Sequence, residues 1–179
     1  MILLEQLLLI NENNTAQSYI KQIRENNHVD SFPLLFSNKI LRIIIGEMYY
    51  KCQLYNIECR LEVANVGLEF VDSYDLTTML GNVIDNAIEA CLIIQKNRRY
   101  ILFRLYEYSN FVVLHIENSF IGSLQTDDNN NLQSSKAKSR GMGLSIIRET
   151  VCKYNGDFQY KYDIDKFEIH IVLQNIEDN

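Results

Sequence analysis

Residues 80–91 place apolar and polar side chains on opposite faces of a predicted helix. The apolar face, at the spacing of a core-facing stripe, consists of Leu80, Ile84, Ala87, Ile88 and Cys91. The polar face consists of Asn82, Asp85, Asn86 and Glu89. Short Asn and Asp side chains are poor helix formers, so an ordinary exposed face carries longer Lys and Glu side chains instead. This polar face therefore indicates a ligand-binding surface, on a helix that Asp72 or Ser73 is expected to cap.

The same periodicity predicts a helix over residues 38–54 and another after Gly143, with Leu144, Ile147 and Val151 on one face and Asn155-Gly156 at its end. Alternating apolar and polar positions predict strands at residues 57–63, 100–107, 111–117, 158–162 and 167–173. These elements together predict an α+β fold. It is a two-layer α/β sandwich, with helices on one face of a mixed, mainly antiparallel sheet.

Residues 1–33 have a different pattern from the rest of the chain. Residues 2–10 and 15–25 have helical patterns separated by polar residues, and the sole proline, Pro33, marks a boundary. We therefore expect residues 1–33 to be the remnant of a helical hairpin and residues 34–179 to form the main domain. The apolar opening is interrupted by Glu5 and is too short to span a bilayer, so we expect a soluble, cytoplasmic segment without membrane contact.

Charge and cysteine content exclude several classes of protein. The net charge of −6, without a basic face, argues against a nucleic-acid partner. The four cysteines form neither a CxxC pair nor a zinc-ligand pattern, and we expect them to be reduced thiols. They are Cys52, Cys59, Cys91 and Cys152.

A glycine pair precedes the last predicted helix. Gly141 and Gly143 lack a β-carbon, so main-chain N–H groups there can approach phosphate oxygens at a helix start. Alone, this pair predicts no more than a loop-to-helix junction. However, residues 129–148 contain no acid in an otherwise acidic protein. The basic residues of this stretch are Lys136, Lys138, Arg140 and Arg148. A polyphosphate is the anion that this combination favours.

These motifs resemble the Bergerat-type, or GHKL, ATP-binding fold of gyrase, heat-shock chaperone, histidine kinase and mismatch-repair ATPases. The segment from Asn82 to Ala87 is similar to the N box of the histidine kinase branch, and the segment from Arg140 to Leu144 to its second glycine box. Within that branch, residues 86–90 resemble peptide-pheromone sensor kinases of the accessory gene regulator C type, which act in quorum sensing. The resemblance covers roughly residues 38–173.

The resemblance implies that the cofactors are ATP and Mg²⁺. Asn86 would coordinate the metal, and Asn82 would support the phosphates or the metal. The glycine box would contact the phosphates through Gly141, Gly143 and Leu144. Lys136 and Arg140, in a polar segment at residues 120–139 that we expect to be a mobile lid, would supply positive charge.

Two positions depart from the family pattern. Adenine recognition normally uses an Asp at a strand end, where this chain has Asn118. Its carbonyl oxygen can accept from the adenine amino group, but an amide is a weaker acceptor than a carboxylate, so we expect modest ATP affinity. Glu89 stands where many sensor kinases have a basic residue, and it would repel a triphosphate unless a metal or a loop cation intervenes. The alternative is that Glu89 faces solvent or a partner helix.

The resemblance favours phosphotransfer over ATP hydrolysis, because position 82 is Asn rather than the Glu that activates water in hydrolysing relatives. None of His28, His115 and His170 has the acceptor motif of this group, and His115 and His170 are most simply structural. We therefore expect the acceptor histidine to lie upstream of this chain, on the dimerisation hairpin of a membrane-anchored, homodimeric sensor that passes the phosphoryl group to a response regulator.

Two alternatives remain open at the level of the sequence. The domain could be a noncatalytic nucleotide-binding or dimerisation module, in which Asn118 and Glu89 reflect lost chemistry. It could also be a serine kinase on the same fold, similar to the anti-sigma-factor kinases.

Overall fold

The computed structural model describes residues 36–121, 125–126, 132–133 and 143–175. The predicted helical hairpin at residues 1–33 lies outside this part of the chain, and so do Lys136, Arg140 and Gly141.

The described chain contains three α-helices and seven strands. The helices are α1 (Lys39–Leu54), α2 (Ser73–Leu92) and α3 (Gly143–Lys153), and a short 3₁₀ helix follows α2 at Lys96–Arg98. The strands are β1 (Glu58–Val63), β2 (Tyr100–Tyr108), β3 (Phe111–Ser119), β4 (Gln125–Thr126), β5 (Leu132–Gln133), β6 (Asp157–Tyr162) and β7 (Lys166–Gln174).

Side-chain oxygens start the first two helices. Asn38 Oδ1 accepts hydrogen bonds from the backbone N–H groups of Ile40 and Leu41. Asp72 Oδ1 does the same for Tyr74 and Asp75. Each cap satisfies donors that have no partner within the helix, which confirms Asp72 as the predicted cap of α2.

Five strands form one sheet in the order β1-β2-β3-β7-β6. Only β1 and β2 pair in parallel; the other three pairs are antiparallel. The three helices pack on this sheet and form a second layer. The structure therefore confirms the predicted α+β sandwich with a mixed, mainly antiparallel sheet.

The core lies between these two layers, with α2 in the centre of the helical layer, in contact with both other helices. All five residues of the predicted apolar face of α2 are buried. Opposite them, Val112, Leu114 and Ile116 of β3 are buried as well, because alternate residues of a strand point to the same face. The apolar side chains that the sequence predicted for α2 and for β3 therefore pack in the same core.

The structure refines several predicted boundaries. The β2–β3 turn is shorter than predicted, since Tyr108 already pairs with Phe111 and Ser109 adopts a φ of 56°. Residues 120–139 were predicted to be a loop, but β4 and β5 pair within this segment. At the end of α3, Asn155 has the left-handed conformation (φ 46°) expected of a helix-terminating residue. None of the described helices combines the length and the apolar character needed to cross a bilayer.

Candidate functional site

The first turn of α2 is joined to the end of α3 by a cluster of polar contacts. Tyr154 Oη donates to Asp75 Oδ2 (2.7 Å), and Lys153 Nζ lies 3.1 Å from Asp75 Oδ1. The backbone N–H of Asp72 donates in turn to Tyr154 Oη (3.0 Å). The hydrogen bond from Tyr154, together with Lys153, holds the pKa of Asp75 below its ordinary value. These contacts set the position of α3 along α2.

This contact determines where the other end of α3 lies. The helix axis covers about 15 Å from Lys153 back to Gly143, and about 16 Å from Asp75 forward to Asn86. Because the two distances match in an antiparallel pair, the start of α3 comes to lie beside the middle of α2. A β-carbon built on Gly143 would lie 3.3 Å from Asn82 Oδ1 and 3.4 Å from both amide atoms of Asn86.

The structure therefore brings Asn82, Asn86 and Gly143 together from distant parts of the sequence. Both asparagine side chains are partly exposed. Asn82 Nδ2 donates to the carbonyl of Thr78 one turn earlier (2.7 Å), which leaves its Oδ1 towards Gly143. Oxygen acceptors and a glycine without a β-carbon thus face each other at the start of a helix, where a phosphate or a hard cation finds suitable partners.

Asp85 does not share these surroundings, although the sequence placed it on the same polar face. Lys51 of α1 lies 3.1 Å from Asp85 Oδ1 and 3.0 Å from Glu47 Oε1. Partial burial opposes the charge of Lys51, but the hydrogen bond with Glu47 and the charge of Asp85 raise its pKa overall. Asp85 therefore connects α2 to α1, and no local pattern in the sequence indicated this partner. Glu89 is exposed on the surface of α2.

A small cavity of about 30 Å³ lies between α1 and α2. Its lining includes Lys51 and Asp85 but neither Asn82 nor Asn86. The cavity has room for a few water molecules at most, so it is too small for a nucleotide. The approach of Gly143 to Asn82 and Asn86 is a separate feature.

Asn118 lies near the end of β3 and is almost completely buried, with 1% of its surface exposed. Its Nδ2 donates to the carbonyl of Ser119 (2.9 Å), and the Ser119 hydroxyl lies 3.3 Å from Cys91 Sγ of α2. About 7.5 Å of helix axis separate Cys91 from Asn86. Asn118 is therefore located under the C-terminal end of α2, and no described contact joins it to Asn82 or Asn86.

Among the remaining residues that the sequence analysis singled out, the structure describes Leu144 and Arg148. Leu144 is half-buried and packs against the core, so its side chain anchors the start of α3. Arg148 was counted with the basic stretch, but its guanidinium lies 5.5 Å from the centre of the Phe158 ring on β6. Lys136, Arg140 and Gly141 lie outside the described residues, so their placement stays a prediction.

His115 and His170 are neighbours on the open face of the sheet, opposite the helices. They are paired across β3 and β7, and their rings stack with a centroid distance of 4.3 Å. Glu168 Oε2 lies 3.3 Å from His170 Nε2. His115 lies on the face opposite Asn118, because residues an odd number of positions apart in a strand point to opposite faces. The grouping with Glu168 was not predicted, because only the pairing of β3 with β7 creates it.

Comparison with known proteins connects this arrangement to one family. The sequence model of the GHKL domain matches residues 71–174, more than half of the 179-residue chain. The matched region includes both asparagines of α2, Asn118 and the whole of α3. No curated protein matches the sequence.

Several solved structures have the same fold. A mycobacterial sensor histidine kinase, MprB, aligns with a TM-score of 0.56 and 21% identity over 75% of this chain and 95% of that chain. The nucleotide-free catalytic domain of the histidine kinase ThkA aligns with a TM-score of 0.60 and 20% identity over 77% and 93% of the two chains. The histidine kinase AdeS of Acinetobacter baumannii gives a TM-score of 0.57 and 17% identity, over 77% of this chain and 64% of that one. The chain thus belongs to the GHKL domain family and has the fold of histidine kinase catalytic domains.

Proposed function

We propose that this domain binds Mg-ATP between α2 and the start of α3, and that it is the catalytic domain of a sensor histidine kinase. In its full protein it would transfer the γ-phosphoryl group to a histidine that lies upstream of this chain. The observation that carries the proposal is the approach of Gly143 to Asn82 and Asn86. Membership of the GHKL family and the fold of histidine kinase catalytic domains support it.

The start of α3 would hold the phosphates. The first N–H groups of a helix have no partner within the helix and carry partial positive charge, so they favour an anion. Gly143 leaves room for that anion, because any β-carbon at this position would already be in contact with both asparagines. Lys136, Arg140 and Gly141, which precede α3, would add donors and positive charge from the segment that we propose as a lid.

The donor chemistry on α2 fits Mg²⁺. This ion prefers oxygen ligands and usually binds through one or two protein groups together with substrate phosphates. Asn86 would supply one amide oxygen, and Asn82, whose nitrogen is already bonded to Thr78, can offer only its oxygen. When bound, Mg²⁺ would neutralise part of the phosphate charge and so favour phosphoryl transfer.

Asn118 would recognise the adenine. It is buried under the end of α2 near Cys91, which lies about 7.5 Å of helix axis beyond Asn86 and about 13.5 Å beyond Asn82, so the base and the phosphates would lie along the same helix. Its carbonyl oxygen can accept from the adenine amino group, but without the charge of the usual aspartate. We therefore expect ATP affinity to be modest.

The residues near Gly143 suit phosphotransfer better than hydrolysis. Asn82 occupies the position of a general base in hydrolysing relatives, and an amide cannot accept a proton at neutral pH. Asp85, which directly precedes Asn86 in the sequence, is paired with Lys51 of α1. In phosphotransfer to histidine the imidazole is itself the nucleophile, so positioning and charge neutralisation suffice.

An acceptor outside the described chain agrees with the placement of the histidines. His115 and His170 lie on the open face of the sheet, whereas Asn82, Asn86 and Gly143 lie in the helical layer. The full protein would then be a homodimeric, membrane-anchored sensor that passes the phosphoryl group to a response regulator. The residues at 86–90 point to the accessory gene regulator C type and thus to quorum sensing.

Calorimetric titration with ATP in the presence of Mg²⁺ tests nucleotide binding. We expect saturable binding that Asn86→Ala weakens at least about tenfold, because a metal ligand is lost. Asn97→Ala, on the exposed 3₁₀ helix, is the matched control and should bind like the parent. Equal affinity of Asn86→Ala and the parent, with both folded by circular dichroism, would contradict the site.

A second experiment separates the kinase from the alternatives. The domain is mixed with radiolabelled ATP and a histidine-containing helical hairpin of its own parent protein, and the labelled product is then acidified. Loss of the label in acid is expected, because phosphohistidine is acid-labile. A product that survives acid would instead favour the serine kinase, and binding without any product would favour the noncatalytic module.

A further inference from the structure

The open face of the sheet carries a cluster of two histidines and a glutamate. His115 on β3 and His170 on β7 are directly paired in the strand register. Glu168 precedes His170 by two residues, so its side chain points to the same face. Nothing in the proposed nucleotide site involves these residues, which lie on the other side of the sheet from α2 and α3.

The side-chain atoms of this cluster converge. Glu168 Oε2 lies 3.3 Å from His170 Nε2 and 3.6 Å from His115 Nε2. One ligand atom from each of the three residues can be chosen so that all lie within 4.8 Å of one another. A tetrahedral Zn²⁺ with bonds of about 2.0–2.1 Å has ligand atoms about 3.3–3.4 Å apart. Because the two rings are stacked at an interplanar angle of 14°, a ring would have to turn so that both nitrogens point at one ion.

His115 Nε2 gives an independent indication of a ligand. This atom is buried and has no hydrogen-bond partner among the described residues. The whole residue is only 8% exposed, so water cannot easily serve instead. A buried polar atom without a partner is unfavourable, and native proteins rarely retain one without a reason. Burial, followed by the neighbouring His170, lowers the pKa of His115.

Lys166 orients the carboxylate of Glu168 towards the two histidines. Lys166 Nζ lies 2.5 Å from Glu168 Oε1, so this oxygen is occupied and Oε2 is the one that faces both rings. Lys166 also lies 3.5 Å from Glu117 Oε2, which compensates part of its positive charge. Such outer contacts are the kind that hold the ligands of a metal site in place.

We propose that His115, His170 and Glu168 bind a Zn²⁺ ion on the open face of the sheet. Two imidazole nitrogens and one carboxylate oxygen are a donor set that zinc accepts, and a water molecule would fill the fourth position. Mg²⁺ prefers oxygen ligands alone, so this site and the nucleotide site would select different metals. Bound zinc would connect β3 to β7 and raise the thermal stability of the sheet.

Titration of the whole 179-residue protein with Zn²⁺ under reducing conditions tests the proposal. We expect one saturable site whose affinity falls at least about tenfold in His170→Ala and in Glu168→Gln. His28→Ala is the matched histidine control, and Cys152→Ser removes the exposed thiol. Both should bind zinc like the parent, and so should Asn86→Ala, which separates this result from that of the nucleotide site.

Cobalt substitution adds a readout of the ligands themselves. Tetrahedral Co²⁺ bound by nitrogen and oxygen absorbs in the visible range without the strong near-ultraviolet band of a thiolate ligand. The visible bands should disappear in His170→Ala.

Three results would overturn the proposal. They are no saturable Zn²⁺ binding by the parent, an affinity that His170→Ala and Glu168→Gln leave unchanged, and a loss of binding in Cys152→Ser.

Discussion

The candidate nucleotide site is built from α2 and α3, which cover one face of the sheet. The cluster of two histidines and a glutamate is built from strands, on the open face. The position of Gly143 beside Asn82 and Asn86 depends on how α3 packs against α2. The cluster of His115, His170 and Glu168 depends on the register of β3 and β7. The candidate nucleotide site therefore depends on helix packing, and the histidine cluster depends on strand pairing. A substitution in one of them should leave ligand binding at the other unchanged.

The largest expected effect compares two neighbours on β7 that point to opposite faces. Ile171 is completely buried under the helices, whereas Val172 is half-buried on the open face. Ile171→Ala should lower the free energy of unfolding by about 2–5 kcal/mol because it leaves a cavity in the core. Val172→Ala should cost about 1 kcal/mol or less. Urea denaturation measures both, and equal losses would mean that the open face is packed as tightly as the covered one.

The next effect should separate binding from stability in the helical layer. Gly143→Ala places a β-carbon against Asn82 and Asn86, so we expect Mg-ATP affinity to fall about tenfold, or about 1.4 kcal/mol. Stability should stay the same or rise by up to about 1 kcal/mol, because Ala is the better helix former. Calorimetric titration with Mg-ATP measures the loss of affinity. Titration with Zn²⁺ is the control, because zinc affinity should not change. Unchanged nucleotide affinity would place the phosphates elsewhere.

A smaller effect concerns the contact that joins α2 to α3. Asp75→Asn should cost about 1 kcal/mol of folding stability at pH 7, because the hydrogen bonds to Tyr154 and Lys153 weaken. The lowered pKa of Asp75 stabilises the folded state above the unfolded-state pKa of about 3.9, and this stabilisation is lost as the pH falls through the folded-state pKa. The difference between parent and variant should therefore shrink below about pH 4. Urea denaturation at a series of pH values measures the unfolding free energy of both proteins. A difference between them that grows in acid would contradict the stabilising role of the charged Asp75.

The smallest effect is expected for an ion pair on the open face. Arg104 Nε lies 2.6 Å from Glu62 Oε2, but 57% of the Glu62 side chain is exposed, against 13% for Asp75. Although the hydrogen bond from Arg104 lowers the pKa of Glu62, solvent and salt screen this exposed pair. Glu62→Gln should leave the urea midpoint unchanged at moderate salt. A loss as large as that of Asp75→Asn would show that exposure does not distinguish the two pairs.

The separate elements could be predicted because their signals are local. The apolar positions of α2 repeat at helical spacing, and Asp72 precedes them as a cap, so one short stretch contains the information for this helix. The same holds for β3, where Val112, Leu114 and Ile116 alternate with the residues of the open face. The fold class followed from the number and order of such elements, and the structure confirms it.

The contacts of the candidate site could be predicted only in part. Asn82 and Asn86 were recognised from their spacing and from the family resemblance, but Asp85 appeared equivalent to them until Lys51 of α1 was seen beside it. Asp75 and Tyr154 position Gly143 without any pattern that marks them in the sequence. The roles of Asn82, Asn86, Asn118 and Gly143, like those of Lys136, Arg140, Gly141 and Leu144, stay predictions until binding is measured.

The sequence by itself determined which segments form helices or strands and which face of each is apolar, because those properties depend on spacings of two to four residues. Only the tertiary structure decided that β7 lies between β3 and β6, that Gly143 meets Asn82 and Asn86, and that Glu168 lies beside two histidines. Such neighbours come from distant parts of the chain, and core packing and strand register select them only when the whole domain folds.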